Sequence, residues 1–515
     1  MQQLPLLAIP PFPGARLRQF AVPGGTGECE IRAILDLLAS HRVGGCYWGA
    51  PISGPDCPFV LDGTSSPLAG AIIWDPAGDP WPALATATRA RLQENDARAL
   101  LAVAAGVPVT LVTGGGRERE AGAADVEQLV AASLTDWQWI NPFDERPMNV
   151  ADAIELCGHW RRLIDANRSI YSVMGIAHWK KPTVTPLLWA GSQVPYGRNL
   201  KGMPAGAAIA IWRARLRPAQ VRAIALHDPA IIEIEDGFIR SAGLGADCVP
   251  PLSVIVDAAG PHFAPGAPSE LERILQEGEF SPHLLARARA LREAIIAGGV
   301  SKYERGRVAA LPRYGGTRRH VLVPGQVEDD RAVTSGGALA SNLELLRRTR
   351  EEVGDDAYVI YKPHPDVLAG HRRGLVSKRE LEELADKVET DKPIAALIAM
   401  VDELHVNSSL AGFEALMRGK PVTVHGAPFY AGWGLTIDRG PVPMRRTARR
   451  TLDELVAATL LLYPRYLDPI SGLPCPPEVV VDRLSVGSSA LPRTARLVVA
   501  SRRFWGKIKQ AVRAA

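Results

Sequence analysis

The stretch VDELHVNSSLAGFEALMRGKPVTVHG, Val401 to Gly426, constrains this chain more than any other, because it dictates a strand, a tight turn, a helix and a second strand in close succession. Leu404 to Val406 is a short apolar run that ends at Asn407, and Ser408 and Ser409 stand where a helix begins. Serine hydroxyls cap the exposed amides of a first helical turn. Leu410, Phe413, Leu416 and Met417 then recur at helical spacing, Arg418 and Gly419 close the helix, and Pro421 to Val424 starts the next strand. In a parallel sheet such a helix start points unpaired N–H groups and the positive end of its dipole into a crevice, where phosphate binds. Ordinary N-capping without a ligand uses the same residues, so the reading needs support from elsewhere.

Two other strand ends supply it. Ala230 to Glu235 (AIIEIE) is an apolar strand running into EDGFIRS, which puts Glu235 and Asp236 where an open parallel sheet does its chemistry. The two carboxylates point to opposite sides if the strand persists, and either is able to act as base, nucleophile or metal ligand. The alternative is an Asp236-Gly237 turn that only reverses the chain. Ala357 to Tyr361 (AYVIY) is followed by KPHPDV, Lys362 to Val367, in which prolines on both sides hold His364 extended at the strand end. Beside a phosphate, His364 would donate a hydrogen bond or a proton.

The rest of the chain is organised around these points. At 515 residues it calls for more than one core. Six scattered cysteines without a CxxC pair argue against structural zinc and a disulfide framework. No apolar run reaches membrane-spanning length, and the N-terminus lacks signal-peptide character, so a cytoplasmic protein is expected. Seven cations and no acid follow Leu491, and removing them turns the net charge from +4 to −3; this basic character is local and excludes a nucleic-acid channel through the body. Four segments are expected: an N-terminal α/β region 1–140, a front lobe 141–317 with the acid pair, a rear lobe 318–480, and a basic amphipathic tail 481–515. In the first, Ala97 to Ala104 is a helix and Val107 to Val112 a strand ending in Gly114 to Gly116, a triplet that either cradles phosphate or simply turns. HWKKP, His178 to Pro182, is either an anion contact or a solvated helix end.

The acid pair in one half and the Lys-Pro-His-Pro and Ser-Ser strand ends in the other fit a cleft between two Rossmann-like domains. That division of labour suits a nucleotide-sugar transferase: a carboxylate acts on the sugar while the facing lobe neutralises the departing phosphate. Here the sequence resembles the bacterial capsule polysaccharide β-Kdo transferases. The resemblance runs from Asn141 to about Gly472 and is carried by EDGFIRSAGLG, VPPLS, VPGQVEDD, YKPHPDV, SSLAGFEALMRGKPVTVHGAPFYAGWGLTID and TLDELV with LLYPRYLDP. The trio of acid pair, His-Pro and Ser-Ser is also similar to that of bacterial sialyltransferases.

The resemblance implies an α/β, GT-B-like fold and retaining, metal-independent transfer of Kdo, a 2-keto sugar acid, from CMP-β-Kdo to a phosphatidylglycerol-type lipid-linked glycan. No cofactor beyond the donor substrate is implied. Asp236 would be the catalytic carboxylate, with Glu235 and His364 beside it. Lys362, Pro365, Ser408, Ser409, Glu414 and Gln326 would bind the donor nucleotide; Arg240, on its charge and not on the family motif, would pair with the donor's carboxylate. Members of the family often carry two such modules, whereas one complete motif set is present, so residues 1–140 are expected to be a shortened or decayed module. Leu497, Val498, Phe504, Trp505 and Ile508 of the tail would meet the inner-membrane surface, and contact with capsule export machinery is compatible with that. Competing readings are another CMP- or UDP-sugar transferase, an epimerase on the same fold, or a non-catalytic assembly or export-coupling protein. In PFYAGWG, Pro428 to Gly434, Tyr430 and Trp433 either cover the donor or fill the core.

Overall fold

A computed structural model describes residues 5–25, 30–241, 249–300, 310–370 and 372–486. The basic tail from 487 onward, Cys29 and Cys248 therefore lie outside the described residues. The four described cysteines are free thiols, with Cys157 and Cys475 buried.

The chain divides into two compact units: residues 1–170, 185–195 and 470–474 form one, and most of the remainder forms the other. The first holds a five-stranded sheet in the order Ile72–Ile73, Val60–Asp62, Arg89–Gln93, Val109–Val112 and Glu118–Glu120, parallel except for the last strand. Gly114 to Gly116 is the turn of the closing hairpin, in which the Gly116 amide donates to the Thr113 carbonyl at 2.9 Å. It is a plain turn and not a phosphate cradle. The helix Val150–Asn167 packs in this unit against Ile31–His41, with Trp160 edge-on to Phe12 and tilted against Phe20. This moves the first boundary from 140 to about 170, because the apolar stripe that makes the helix legible does not say which core it faces.

The second unit contains two six-stranded sheets. The middle four strands of the front sheet are Arg465–Leu467, Ser253–Asp257, Ala230–Asp236 and Ala208–Ile211 in that order. Ala208–Ile211 and Ala230–Asp236 are parallel, whereas Ser253–Asp257 is antiparallel to both of its neighbours. The rear sheet is wholly parallel: Lys387–Val388, Tyr358–Lys362, His320–Pro324, Glu403–Val406, Val422–Val424 and Ile437–Asp438. Numbered along the chain, this is the doubly wound order 3-2-1-4-5-6, whose switch point falls between His320–Pro324 and Glu403–Val406. The apolar runs VLV and LHV are buried because helices cover such a sheet on both faces.

The rear lobe does not extend to 480 as expected. After Ile437–Asp438 the chain returns to the front: Leu452–Val456 packs on the helix Pro282–Ala297, and Arg465–Leu467 pairs with Ser253–Asp257. TLDELV and RYLDP become a helix and a strand, and nothing local in either says which sheet it joins or covers.

Candidate active site

The strand Ala230–Asp236 does not end in a reversal. Gly237 runs on beside Ser253, donating its amide to the Ser253 carbonyl at 3.0 Å, and a Cβ at 237 would collide with the Ser253 side chain. The glycine of the EDG sequence is thus demanded by a neighbouring strand. Asp236 at the strand's end lines a cavity of about 610 Å³ together with Glu235, Pro324, Gln326, Lys362, His364, Pro365, Ser408, Ser409 and Glu414. Except for Arg240, the catalytic and donor-binding residues that the resemblance and charge suggested all line it, and the cavity opens at the switch point of the rear sheet.

Electrostatics separates the two carboxylates. Burial raises the Asp236 carboxyl, but Lys180 Nζ at 3.0 Å from Oδ1 and Arg240 Nε at 3.1 Å from Oδ2 outweigh it and hold the group below its ordinary value. Burial pushes Glu235 up to about 7, with the Asp236 charge adding to the effect and Arg331, 2.7 Å away, opposing it. Arg331 also reaches Glu233 at 3.2 Å. Adjacent side chains with opposed shifts are the pattern of an ionised nucleophile beside a titrating acid–base group.

Arg240 is not placed as its charge suggested. Its side chain is 1% exposed, and beyond Asp236 it donates to Ser241 Oγ at 2.8 Å and to the Val249 carbonyl at 3.0 Å. It holds the aspartate from behind rather than facing the cavity. Sequence reasoning missed Lys180 as an Asp236 partner: in HWKKP it reads as an anion contact or a solvated end, yet it is buried, and its ammonium lies 3.3 Å from the centroid of Trp212. The available signal was a lysine between a tryptophan and a second lysine just before a proline, which does not identify a partner.

On the rear side, His364 caps the short helix Pro365–Leu368: Nδ1 accepts the Asp366 amide at 3.2 Å, which leaves the proton of the neutral ring on Nε2. Ser409 caps Leu410–Met417 through the Ala411 amide, 3.3 Å from its hydroxyl oxygen. The Ser409 and Leu410 amides take no acceptor among the described residues, so they offer donors to an anion. Ser408 is placed differently. Its amide donates to Gln326 Oε1 at 2.9 Å, Gln326 Nε2 donates to its hydroxyl at 3.2 Å, and the hydroxyl donates to the Ala332 carbonyl at 3.1 Å. Gln326 and Ser408 therefore brace one another across the switch point, and their polar atoms are engaged with protein. Glu414 is buried one turn into the helix and Lys362 is buried at its strand end.

Tyr430 and Trp433 are fully buried and fill the core; the Tyr430 hydroxyl donates to the Ser409 carbonyl, and Trp433 Nε1 donates to the Phe429 carbonyl at 2.8 Å. Their neighbour Phe429 faces the cavity and packs on Phe238 of the front lobe, with ring centroids 4.7 Å apart.

Residues 207–466 match the family model of capsule polysaccharide biosynthesis proteins. The chain belongs to the capsule polysaccharide biosynthesis protein family. Within that family it is similar to the capsule polysaccharide modification protein LipA of Neisseria meningitidis serogroup A, at 37% identity over 66% of this chain and 49% of LipA. It is also similar to the lipopolysaccharide-processing protein LpsZ of Rhizobium meliloti, at 43% identity over 56% of this chain and 66% of LpsZ. The chain thus spans about half the length of the first of these relatives. Among solved structures it resembles the beta Kdo 2,4 transferase of Thermosulfurimonas dismutans KpsC, with 33% identity, a TM-score of 0.53, and coverage of 62% of this chain and 98% of that one. This family member has an α/β glycosyltransferase fold.

One group among the described residues has metal-ligand character: Glu352, His405 and His425 bring ligand atoms within 4.8 Å of one another. None of them lines the cavity. Arg439 holds Glu352 at 2.9 Å, and His405 Nδ1 faces His425 Nε2 at 3.3 Å. Burial, reinforced by His425, lowers His405 to about 4, so the buried ring is neutral while an unfolded chain protonates near 6.5. Between those values the unfolded state binds the extra proton, and stability falls as pH falls. The expected slope from this residue is at most about 1.4 kcal/mol per pH unit. Urea unfolding of the wild type and His405→Gln at pH 7, 6 and 5 should show a shallower acid loss in the variant; equal slopes contradict the assignment.

Proposed function

We propose that the protein is a retaining glycosyltransferase that moves β-Kdo from CMP-β-Kdo to a lipid-linked Kdo acceptor during capsule polysaccharide linker synthesis, on a GT-B-like pair of lobes. The observation that carries this reading is a single cavity that unites an ionised aspartate, clamped by two cations, with a helix start whose Ser409 and Leu410 amides are open to an anion. A glycosyltransferase structure at 33% identity supports the same chemistry.

In this reading the CMP phosphate rests on the Ser409 and Leu410 amides, the Ser409 hydroxyl and His364 Nε2–H, with Lys362 supplying charge and Glu414 accepting from the ribose hydroxyls. These groups neutralise the leaving phosphate without a divalent ion. Asp236 attacks the anomeric carbon from the opposite side and CMP departs with the bonding pair. A carboxylate kept ionised suits a nucleophile better than a base, since a depressed pKa weakens proton abstraction. The acceptor hydroxyl then attacks the same carbon, Glu235 takes its proton, and the pair returns to Asp236. Two inversions give retention.

Among the described residues no helix is long and apolar enough to cross a membrane. In this reading a lipid-linked acceptor is reached at the membrane surface, to which the cations and aromatic residues after Leu491 would add attraction. Incubation with CMP-Kdo and a synthetic Kdo-lipid acceptor should give a product heavier by one Kdo unit. CMP binding without product or hydrolysis would favour a non-catalytic assembly role, and turnover only with another sugar nucleotide would reassign the donor.

A further inference from the structure

We propose that Lys180 is a positioning and specificity-determining residue, which acts through Asp236 to make the nucleophile's surroundings net positive and so admit a sugar that carries its own carboxylate. The inference rests on the transfer reading above and deepens it to the class of donor, 2-keto sugar acids.

The geometry is unusual for a nucleophile. Asp236 has a cation on each oxygen, Lys180 on Oδ1 and Arg240 on Oδ2. For a neutral sugar the second cation would only weaken attack. With a 2-keto sugar acid the carbon under attack bears a carboxylate, so two anions must come within bonding range of one atom, and their repulsion rises as the distance closes. One aspartate between two fixed cations offers the incoming anion a net positive field instead.

The two cations differ in kind. Arg240 is sealed, with its donors spread over Asp236, Ser241 and Val249. Lys180 Nζ makes its hydrogen bond to Asp236 alone among the described residues and is otherwise seated on aromatic faces, 3.3 Å from the Trp212 centroid and 5.0 Å from that of Trp179. Aromatic faces stabilise a desolvated ammonium without consuming its charge. As the bond from Asp236 to the anomeric carbon forms, the carboxylate becomes a neutral ester and its negative charge reappears on the departing CMP. Lys180 keeps its proton but loses its counter-ion, and the sugar carboxylate, held on the same carbon, joins Glu235 as an anion within its field. The charged groups around Lys180 are Asp236, Arg240 and Glu235, and burial lowers the ammonium to about 8 against the pull of Asp236.

The test measures CMP release and the mass of Asp236-bearing peptides after quenching with acid, from pH 6.5 to 9.5, for the wild type, Lys180→Met and Lys180→Arg, with CMP binding as the check on folding. The expected result is a fall of a hundredfold or more in adduct formation for Lys180→Met. For Lys180→Arg, activity within tenfold of the wild type is expected, together with loss of an alkaline limb near pH 8, since a guanidinium does not titrate there. Should Lys180→Met not fold, Lys180→Arg decides through that limb. Unchanged adduct formation in Lys180→Met, or an alkaline limb retained in Lys180→Arg, overturns the proposal. If the wild type releases no CMP from CMP-Kdo, it is the transfer reading that fails.

Discussion

Asp236→Ala is expected to bind CMP with wild-type affinity while transferring Kdo at least about 10³-fold more slowly. In the proposed mechanism the nucleotide rests on rear-lobe groups, the Ser409 and Leu410 amides and His364, whereas Asp236 ends a front-sheet strand. The substitution removes the attacking oxygen and leaves Lys180 and Arg240 facing each other without their shared anion. Some loss of stability is expected from removing the anion between two buried cations, so Asp236→Asn, which keeps two polar atoms between them, is the companion variant. Isothermal titration with CMP and product mass spectrometry separate binding from chemistry. Transfer by either variant within tenfold of the wild type would remove Asp236 from the mechanism.

The second large effect belongs to Glu235. As the group proposed to take the acceptor's proton it must be ionised, and burial places its midpoint at about 7. Rates should therefore fall as pH drops below about 7, by tenfold per unit once the carboxyl is mostly protonated. Glu235→Gln should lose about 10²-fold in transfer at pH 8, flatten that acid limb, and accumulate the adduct on Asp236, because attack by the nucleophile does not need the base. An acid limb that survives unchanged in Glu235→Gln would assign the proton to another group. Arg331, paired with Glu235 at 2.7 Å, opposes the upward shift. Arg331→Met should therefore move the limb to higher pH.

How far these features were legible follows from the range of the signals. Strand ends and helix starts were readable because their causes are local: serines before an amphipathic run, prolines flanking His364, an apolar strand ending in two acids. The elements Leu410–Met417, Tyr358–Lys362 and Ala230–Asp236 lie where those patterns put them. The brace between Gln326 and Ser408 spans 82 positions, and the Lys180 contact to Asp236 spans 56. No periodicity encodes such a meeting. Arg240 shows the opposite error: four residues after Asp236, with a charge suited to a sugar acid, it invited a ligand role, while burial turned it into the aspartate's own support. Tyr430 and Trp433 were undecidable for a similar reason, since an aromatic pair in a glycine-rich loop suits a lid as well as a core.

The late return of Arg465–Leu467 to the front sheet carries a consequence for biosynthesis. Ser253–Asp257 leaves the ribosome some 200 residues before the strand that pairs with it. The open flank of that early strand stays exposed while the whole rear sheet is being made, a template for unwanted pairing. Vectorial completion, one lobe finished before the next begins, is closed to this chain: the front sheet is sewn shut only after every strand of the rear sheet has emerged, so a nascent chain stalled before Arg465–Leu467 would display an unfinished seam.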